Sequence, residues 1–301
     1  MNAIEVKDLK KYFGKTKAVD GVDFNIKKGE IFGFLGPNGA GKTTTIRCMM
    51  DFIRPTDGEI IISGLNAQKN SVVLKEKVGY LSGNGKLYDK WTGEEHIQFV
   101  KSVRGKYQPK ANRSSVEKIV NELVKKFDFN PKIKFKSLSS GNKQKLGLIL
   151  ALMFEPEILI MDEPTIGLDP LLQNTIYEIL EERKEEGTTT FISSHNLPEV
   201  ERICDRVGII KEGKMVSVEA VSELGEKKLH KVEVRFTGKF DKADFKKLKI
   251  ENIEDVSQGL IFTVSGDLNP IIKKLSEYSV IDLEVSHANL EDVFLKFYEK
   301  K

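Results

Sequence analysis

Residues Gly36-Pro37-Asn38-Gly39-Ala40-Gly41-Lys42-Thr43 match the spacing glycine, any four residues, Gly-Lys-Ser/Thr, and no other stretch restricts this chain as strongly. Glycines at those positions let consecutive backbone N–H groups turn inward around phosphate, Lys42 can reach the β and γ phosphates, and Thr43 offers a hydroxyl to Mg²⁺. The flanks agree. Glu30 to Leu35 is an apolar run short enough for a buried strand, and beyond Thr44 the residues Ile46, Met49 and Met50 fall at helical spacing. A strand, a loop and a helix in that order would present phosphates to a helix N-terminus, where the macrodipole is positive. Gly36 to Thr44 are therefore candidate nucleotide-binding residues.

A second constraint lies in Glu157-Ile158-Leu159-Ile160-Met161-Asp162-Glu163-Pro164, an uninterrupted apolar strand ending in two carboxylates. Continuous apolarity implies burial on both faces, as in a parallel sheet, and ligands of open α/β sheets sit at the carboxyl ends of such strands. Asp162 is then the candidate for the metal, directly or through its water shell, and Glu163 for polarising the water that attacks the γ phosphate. The 301 residues suffice for one large domain and a small one, or for two medium ones. Lys and Arg number 48 against 45 Asp and Glu, so no overall charge excess points to nucleic acid. Cys48 and Cys204 lack metal-type spacing and suit a reducing compartment. No secretory h-region opens the chain and its apolar stretches fall short of a bilayer span, so it is expected to be soluble.

Between the two motifs, Ser137-Leu138-Ser139-Ser140-Gly141-Asn142 precedes an apolar helix from Leu146 to Leu152, with Ser139 or Ser140 as N-cap. The order of phosphate loop, Leu-Ser-x-Gly and apolar strand ending Asp-Glu resembles the nucleotide-binding subunit of an ATP-binding-cassette transporter, over about Ile4 to Glu219. That resemblance implies a P-loop cassette with a mixed sheet and a helical subdomain, two ATP molecules sandwiched in a head-to-tail dimer, and Leu138, Ser139, Ser140, Gly141 and Asn142 capping the γ phosphate bound by a second copy. It also makes Thr165 to Pro170, with Asp169, a D-loop crossing the dimer interface, and His195 a switch histidine touching the γ phosphate. Lys11 to Gly14 resembles the A-loop that stacks on adenine; spacing favours Phe13, with Tyr12 the rival. Catalysis would rest on Glu163, His195 and Lys42, and Mg²⁺ on Thr43 and Asp162.

Two departures touch this constellation. The signature has Ser140 where the family has its first Gly and Asn142 where it has Gln. Val78 to Tyr88 aligns with the Q-loop, but the glutamine position holds Gly83, leaving water or Asn84 to complete the magnesium shell. Trp91 to Ser137 reads as helical, with Ile97, Val100 and Val103 on one stripe and Ile119, Leu123, Val124 and Phe127 on another. The basic run Arg104 to Tyr107 is a solvated face or a membrane contact. The expected division is a cassette over 1–222, its helical subdomain at about 88–150, and an accessory α+β domain over 223–301 after a charged linker. In the latter, Val232–Phe236, Ala243–Leu248, Ile253–Val256, Leu260–Val264, Pro270–Leu275 and Ile281–Val285 give the order βαββαβ of a ferredoxin-like domain, closed by a helix from Leu290 to Tyr298. The implied function is an ATP hydrolase on the inner face of the cell membrane, driving export through separate transmembrane subunits, with no nucleic acid partner. Alternatives are a soluble cassette ATPase acting on nucleic acid or ribosomes, and a P-loop kinase, which would leave Leu138 to Asn142 and His195 unexplained.

Overall fold

Alternating buried and exposed residues fold the N-terminal segment into an antiparallel hairpin, in which β1 (Asn2–Phe13) pairs with β2 (Thr16–Lys27) from Ile4 opposite Ile26 to Phe13 opposite Thr16. The computed structural model describes residues 1–83, 85–104, 113–222, 229–238, 240–246, 248 and 250–287. Asn84, Gly105 to Tyr107, positions 223–228 of the charged linker and Leu290 to Tyr298 lie outside the described residues. The chain divides into two compact units, Met1–Val218 and Glu219–Lys301.

In the first unit β3 (Ile31–Leu35) is buried at all five positions and runs into the glycine-rich loop and α1 (Lys42–Met49). β4 (Asp57–Ile62) and β5 (Leu65–Asn66) complete a four-stranded sheet in the order β2-β1-β4-β5. α2 (Ser71–Lys77) leads into β6 (Val78–Leu81). The helical segment then follows as α3 (Gly93–Arg104), α4 (Arg113–Lys126), a 3-10 turn at Phe135–Ser137 and α5 (Ser140–Leu152). Helix does not run through to Ser137 as the sequence suggested: Asp128 takes a left-handed φ of 45° and Pro131 follows, and both stop it. Val103, expected on the stripe with Ile97, is 47% exposed, whereas Ile97 is buried. In α4 and just beyond it, Ile119, Leu123 and Phe127 are buried as expected, joined by Val116 and Val120.

Beyond α5, β7 (Ile158–Asp162) and β8 (Thr189–Ser194) are buried throughout. α6 (Pro170–Glu185) connects them and starts on Asp169, whose side chain accepts from Leu172 N. α7 (Leu197–Ile203), β9 (Arg206–Lys211) and β10 (Lys214–Ala220) finish a six-stranded sheet ordered β10-β9-β3-β8-β7-β6. Its inner pairs β9-β3, β3-β8, β8-β7 and β7-β6 are all parallel, which explains runs apolar on both faces. The core joins both sheets and α1. Phe24, Phe32, Phe34 and Phe191 form an aromatic cluster with ring centroids 5.3–6.2 Å apart, packed with Ile46, Met49 and Ile160. Each such side chain contributes about 1.5–3 kcal/mol by leaving water, so the loop between β3 and α1 is anchored at both ends.

The second unit carries β11 (Leu229–Phe236), a helix at Lys242–Lys246, β12 (Ile250–Val256), β13 (Gly259–Ser265), a helix at Asn269–Leu275 and β14 (Val280–His287). Its antiparallel sheet is ordered β12-β13-β11-β14, the strand arrangement of a ferredoxin-like fold. Val232, Val234, Phe236, Phe245, Phe262 and Ile271 fill its core.

Candidate active site

Parallel pairing brings four strand ends to one edge of the sheet: Leu35 opposite Ser194, Asp162 opposite Ser193, and Leu81 opposite Met161. The residues just past those ends are therefore neighbours although they are scattered in sequence. Gly36 leaves β3, Gly83 follows β6, Glu163 follows β7 and His195 follows β8. A cleft of about 380 Å³ lies at this edge, lined by Asn38 to Thr44, Gly83, Asp162, Glu163, Ile166 and His195, with Ala18 from the hairpin.

The loop itself is wedged. A Cβ on Gly36 would stand 2.3 Å from the Ile210 carbonyl oxygen, and one on Gly41 2.5 Å from that of Ala18. Gly41 also holds φ at 110°, where side chains are rarely found, as it caps α1. The Lys42 side chain is only 6% exposed and folds back over the loop, donating to Gly36 O at 2.6 Å and Pro37 O at 3.2 Å. Its ammonium also lies 3.3 Å from Glu163 Oε1.

Glu163 takes a left-handed φ of 52°, an unusual backbone for a residue with a side chain. Its N–H donates to Ser193 O at 3.2 Å and Ser193 Oγ at 3.1 Å. The turn sends its carboxylate sideways, between Lys42 and His195 Nδ1, the latter 2.8 Å from Oε2. Thr43 Oγ1 donates to Asp162 Oδ2 at 2.8 Å, and Ser193 Oγ donates to Asp162 Oδ1 at 2.5 Å. Thr43 and Asp162 thus form an oxygen-only pair beside the phosphate loop, a donor set that fits Mg²⁺ and no soft metal. The ideal Cβ direction of Gly83 points at Asp162, 3.0 Å from its carbonyl oxygen and 3.5 Å from Oδ2. A glutamine there would press on Asp162, so the glycine removes a side chain from the rim of the metal pair.

Leu138 to Asn142 do not line the cleft. Ser139 caps α5, its Oγ accepting from Asn142 N at 3.3 Å and Asn142 Nδ2 at 3.1 Å. Ser139 and Ser140 are exposed, Gly141 and Asn142 half-buried, and Leu138 is buried. The N-terminus of α5 thus carries exposed serines outside this chain's own cleft, and a helix N-terminus of this kind favours an anion. Asp169 is occupied in capping α6 and lies outside the cleft walls.

The two aromatic candidates differ. The Tyr12 hydroxyl donates to Asp20 Oδ1 at 2.5 Å, which raises the phenol above its ordinary pKa and holds the Asp20 carboxyl below its own. Phe13 is 51% exposed, with Lys11 Nζ 4.9 Å from its ring centroid. Phe13 is thus the more exposed ring, whereas the Tyr12 hydroxyl is engaged. Sequence reasoning passed over Ser193, which holds both Asp162 and Glu163, and Gln144, whose Nε2 donates to Pro164 O at 2.8 Å and Glu163 O at 3.3 Å. Gln144 lies in the polar run Asn142 to Lys145 at the start of α5, so nothing in the sequence singles it out.

The family described as ABC transporter matches residues 19–166. The chain is 36% identical to the bacitracin transport ATP-binding protein BcrA of Enterococcus faecalis, over 97% of this chain and 95% of the relative. It is 37% identical to the linearmycin resistance ATP-binding protein LnrL of Bacillus subtilis, over 73% and 70% of the two chains. Among solved structures, an ATP-binding subunit of an ABC transporter superposes with a TM-score of 0.68 at 28% identity, over 74% of this chain and 91% of the other. A dimeric ATP-binding cassette in a post-hydrolysis state with ADP and Pi superposes with a TM-score of 0.62 at 23% identity, over 72% and 98%, a likeness of fold.

Proposed function

Because this chain belongs to the ABC transporter family as an ATP-binding, ATP-hydrolysing subunit, we propose that two copies pair head to tail around two Mg-ATP and drive export through separate membrane subunits. The observation that carries this reading is the split constellation. The phosphate loop, Asp162, Glu163 and His195 meet in one cleft, while Ser139 to Asn142 stand outside it on an open helix N-terminus. A second copy turned through a two-fold axis supplies the missing wall to each cleft.

In this reading the γ phosphate competes with Glu163 and the two loop carbonyls for the Lys42 ammonium. Lys42 so engaged leaves Glu163 free to accept a proton from the attacking water, with His195 bridging Glu163 to the phosphate edge. Thr43 and Asp162 would hold Mg²⁺, which when bound would neutralise charge on the phosphate oxygens. Phe13 stacks on adenine. Stacking of a base on an aromatic ring is worth about 1–3 kcal/mol, so Phe13→Ala is expected to raise the KM for ATP roughly five- to hundredfold with little change in kcat. Tyr12→Phe, measured in the same steady-state assay, should leave KM nearly unaltered; the reverse ranking would move the adenine contact to Tyr12.

The names of two relatives, bacitracin transport and linearmycin resistance, support outward movement of an antibiotic-like cargo. Among the described residues no helix is long and apolar enough to cross a membrane, in keeping with a subunit that docks on the inner membrane face beside its translocation partner. Affinity capture of the full-length chain from detergent-solubilised membranes is expected to bring a polytopic membrane protein with it. Recovery with ribosomes or nucleic acid alone would replace the transporter reading by the soluble one.

A further inference from the structure

Glu199 is a carboxylate only 4% exposed, on α7, that none of the roles above uses. It is fully engaged. Oε1 accepts from Thr165 Oγ1 at 2.6 Å and Oε2 accepts from Ser194 Oγ at 2.5 Å. Ser194 Oγ in turn accepts from Asn196 N at 3.0 Å. Thr165 sits two residues past Glu163, and Ser194 immediately precedes His195. The carboxylate therefore clamps together the two backbone segments from which the Glu163 and His195 side chains spring. Burial pushes its pKa up, opposed by the two hydroxyls. A buried carboxylate is costly, and an apolar residue of similar size would pack as well or better, so packing alone does not account for it.

The same turn is held from its other side by α5, through Gln144 donating to Pro164 O and Glu163 O. One chain of hydrogen bonds thus runs from the helix whose N-terminus carries Ser139 to Asn142, through the turn at Pro164 and Thr165, across Glu199, to the end of β8. We propose that Glu199 is a positioning residue: it locks the Glu163 turn to the His195 strand end, so that the catalytic pair of one site keeps its alignment only when α5, which serves the other site, is in place. The proposal rests on the reading of Glu163 as base and of α5 as the partner site's wall.

The test uses the full chain with Mg-ATP, at protein concentrations that allow pairing. Thr165→Val removes one donor at nearly constant shape. It is expected to lower the single-turnover rate at saturating ATP at least tenfold while the Kd of a fluorescent ATP analogue stays within twofold. Thr165→Ser, which keeps the hydroxyl, should restore the rate to within threefold of the parent. In a Glu199→Ala background, checked for folding by its melting curve, Thr165→Val should add no further loss, because the link is already cut. An unimpaired Thr165→Val, a loss that serine does not rescue, or additive losses in the double variant would overturn the link. Glu163→Gln is measured alongside: if it still turns over, the base reading fails and this one with it, whereas an inert Glu163→Gln beside an unimpaired Thr165→Val overturns the Glu199 link alone.

Discussion

Glu163→Gln is expected to lower ATP turnover by about 10²- to 10⁴-fold, the range a positioned general base supplies, while ATP binding is kept. The amide has the shape of the carboxylate but cannot take a proton from water at neutral pH. It also removes the negative charge 3.3 Å from Lys42 Nζ, so phosphate oxygens meet less competition for the ammonium, and the Kd for ATP should stay the same or fall. With binding intact and hydrolysis stopped, the ATP-bound pair should accumulate. Size-exclusion chromatography with Mg-ATP should show a dimer for the variant at concentrations where the parent is mostly monomeric. A variant that hydrolyses at the parent's rate would remove Glu163 from the chemistry and return attention to His195, which lies 2.8 Å from it.

Lys42→Ala should fail at the earlier step. Hydrogen bonds to charged groups are worth about 1.5–3 kcal/mol each, so loss of the ammonium should weaken ATP binding about ten- to hundredfold or more, read by calorimetric titration. The variant also strips a donor from Gly36 O and Pro37 O and a counter-ion from Glu163. Some loss of thermal stability is therefore expected as well. Lys42→Arg separates the two effects: it keeps the charge, but its planar fork is too broad for a point held between two loop carbonyls. It should bind ATP nearly as poorly as the alanine variant while melting closer to the parent. Unaltered affinity in both would mean that the phosphates are held by loop N–H groups alone.

The phosphate loop and the pair Asp162–Glu163 were legible because each is written in one contiguous stretch: an apolar strand followed at once by the polar residues it delivers. Parallel pairing then places those ends side by side without further sequence instruction. Order alone also gave the antiparallel sheet of the second unit, since βαββαβ admits few ways to close, although strands such as β11 extend beyond the apolar core of the pattern. What stayed hidden depends on contacts between distant segments. Ser193, Gln144 and Glu199 look like a strand serine, a helix glutamine and a helix acid, and only folding shows that each donates or accepts across elements near Glu163. The left-handed backbone of Glu163 is equally silent in sequence. Val103 misled because spacing along a helix gives a face and not what covers it; the stripe continues past the part of α3 that packs inward.

The wedging of Gly36 and Gly41 against the carbonyls of Ile210 and Ala18 bears on how loss-of-function genetics here is to be interpreted. Those carbonyls belong to the backbone and cannot step aside, so any added side chain forces the strand and hairpin apart before a nucleotide is ever encountered. Dead alleles at these two glycines report whether the cassette can be assembled at all, and their phenotype should track protein abundance in the cell. Alleles at Lys42 or Glu163 leave a protein that is present but idle, able to occupy a partner and poison the wild-type copy beside it. Recessive and dominant-negative behaviour should therefore divide along that structural line.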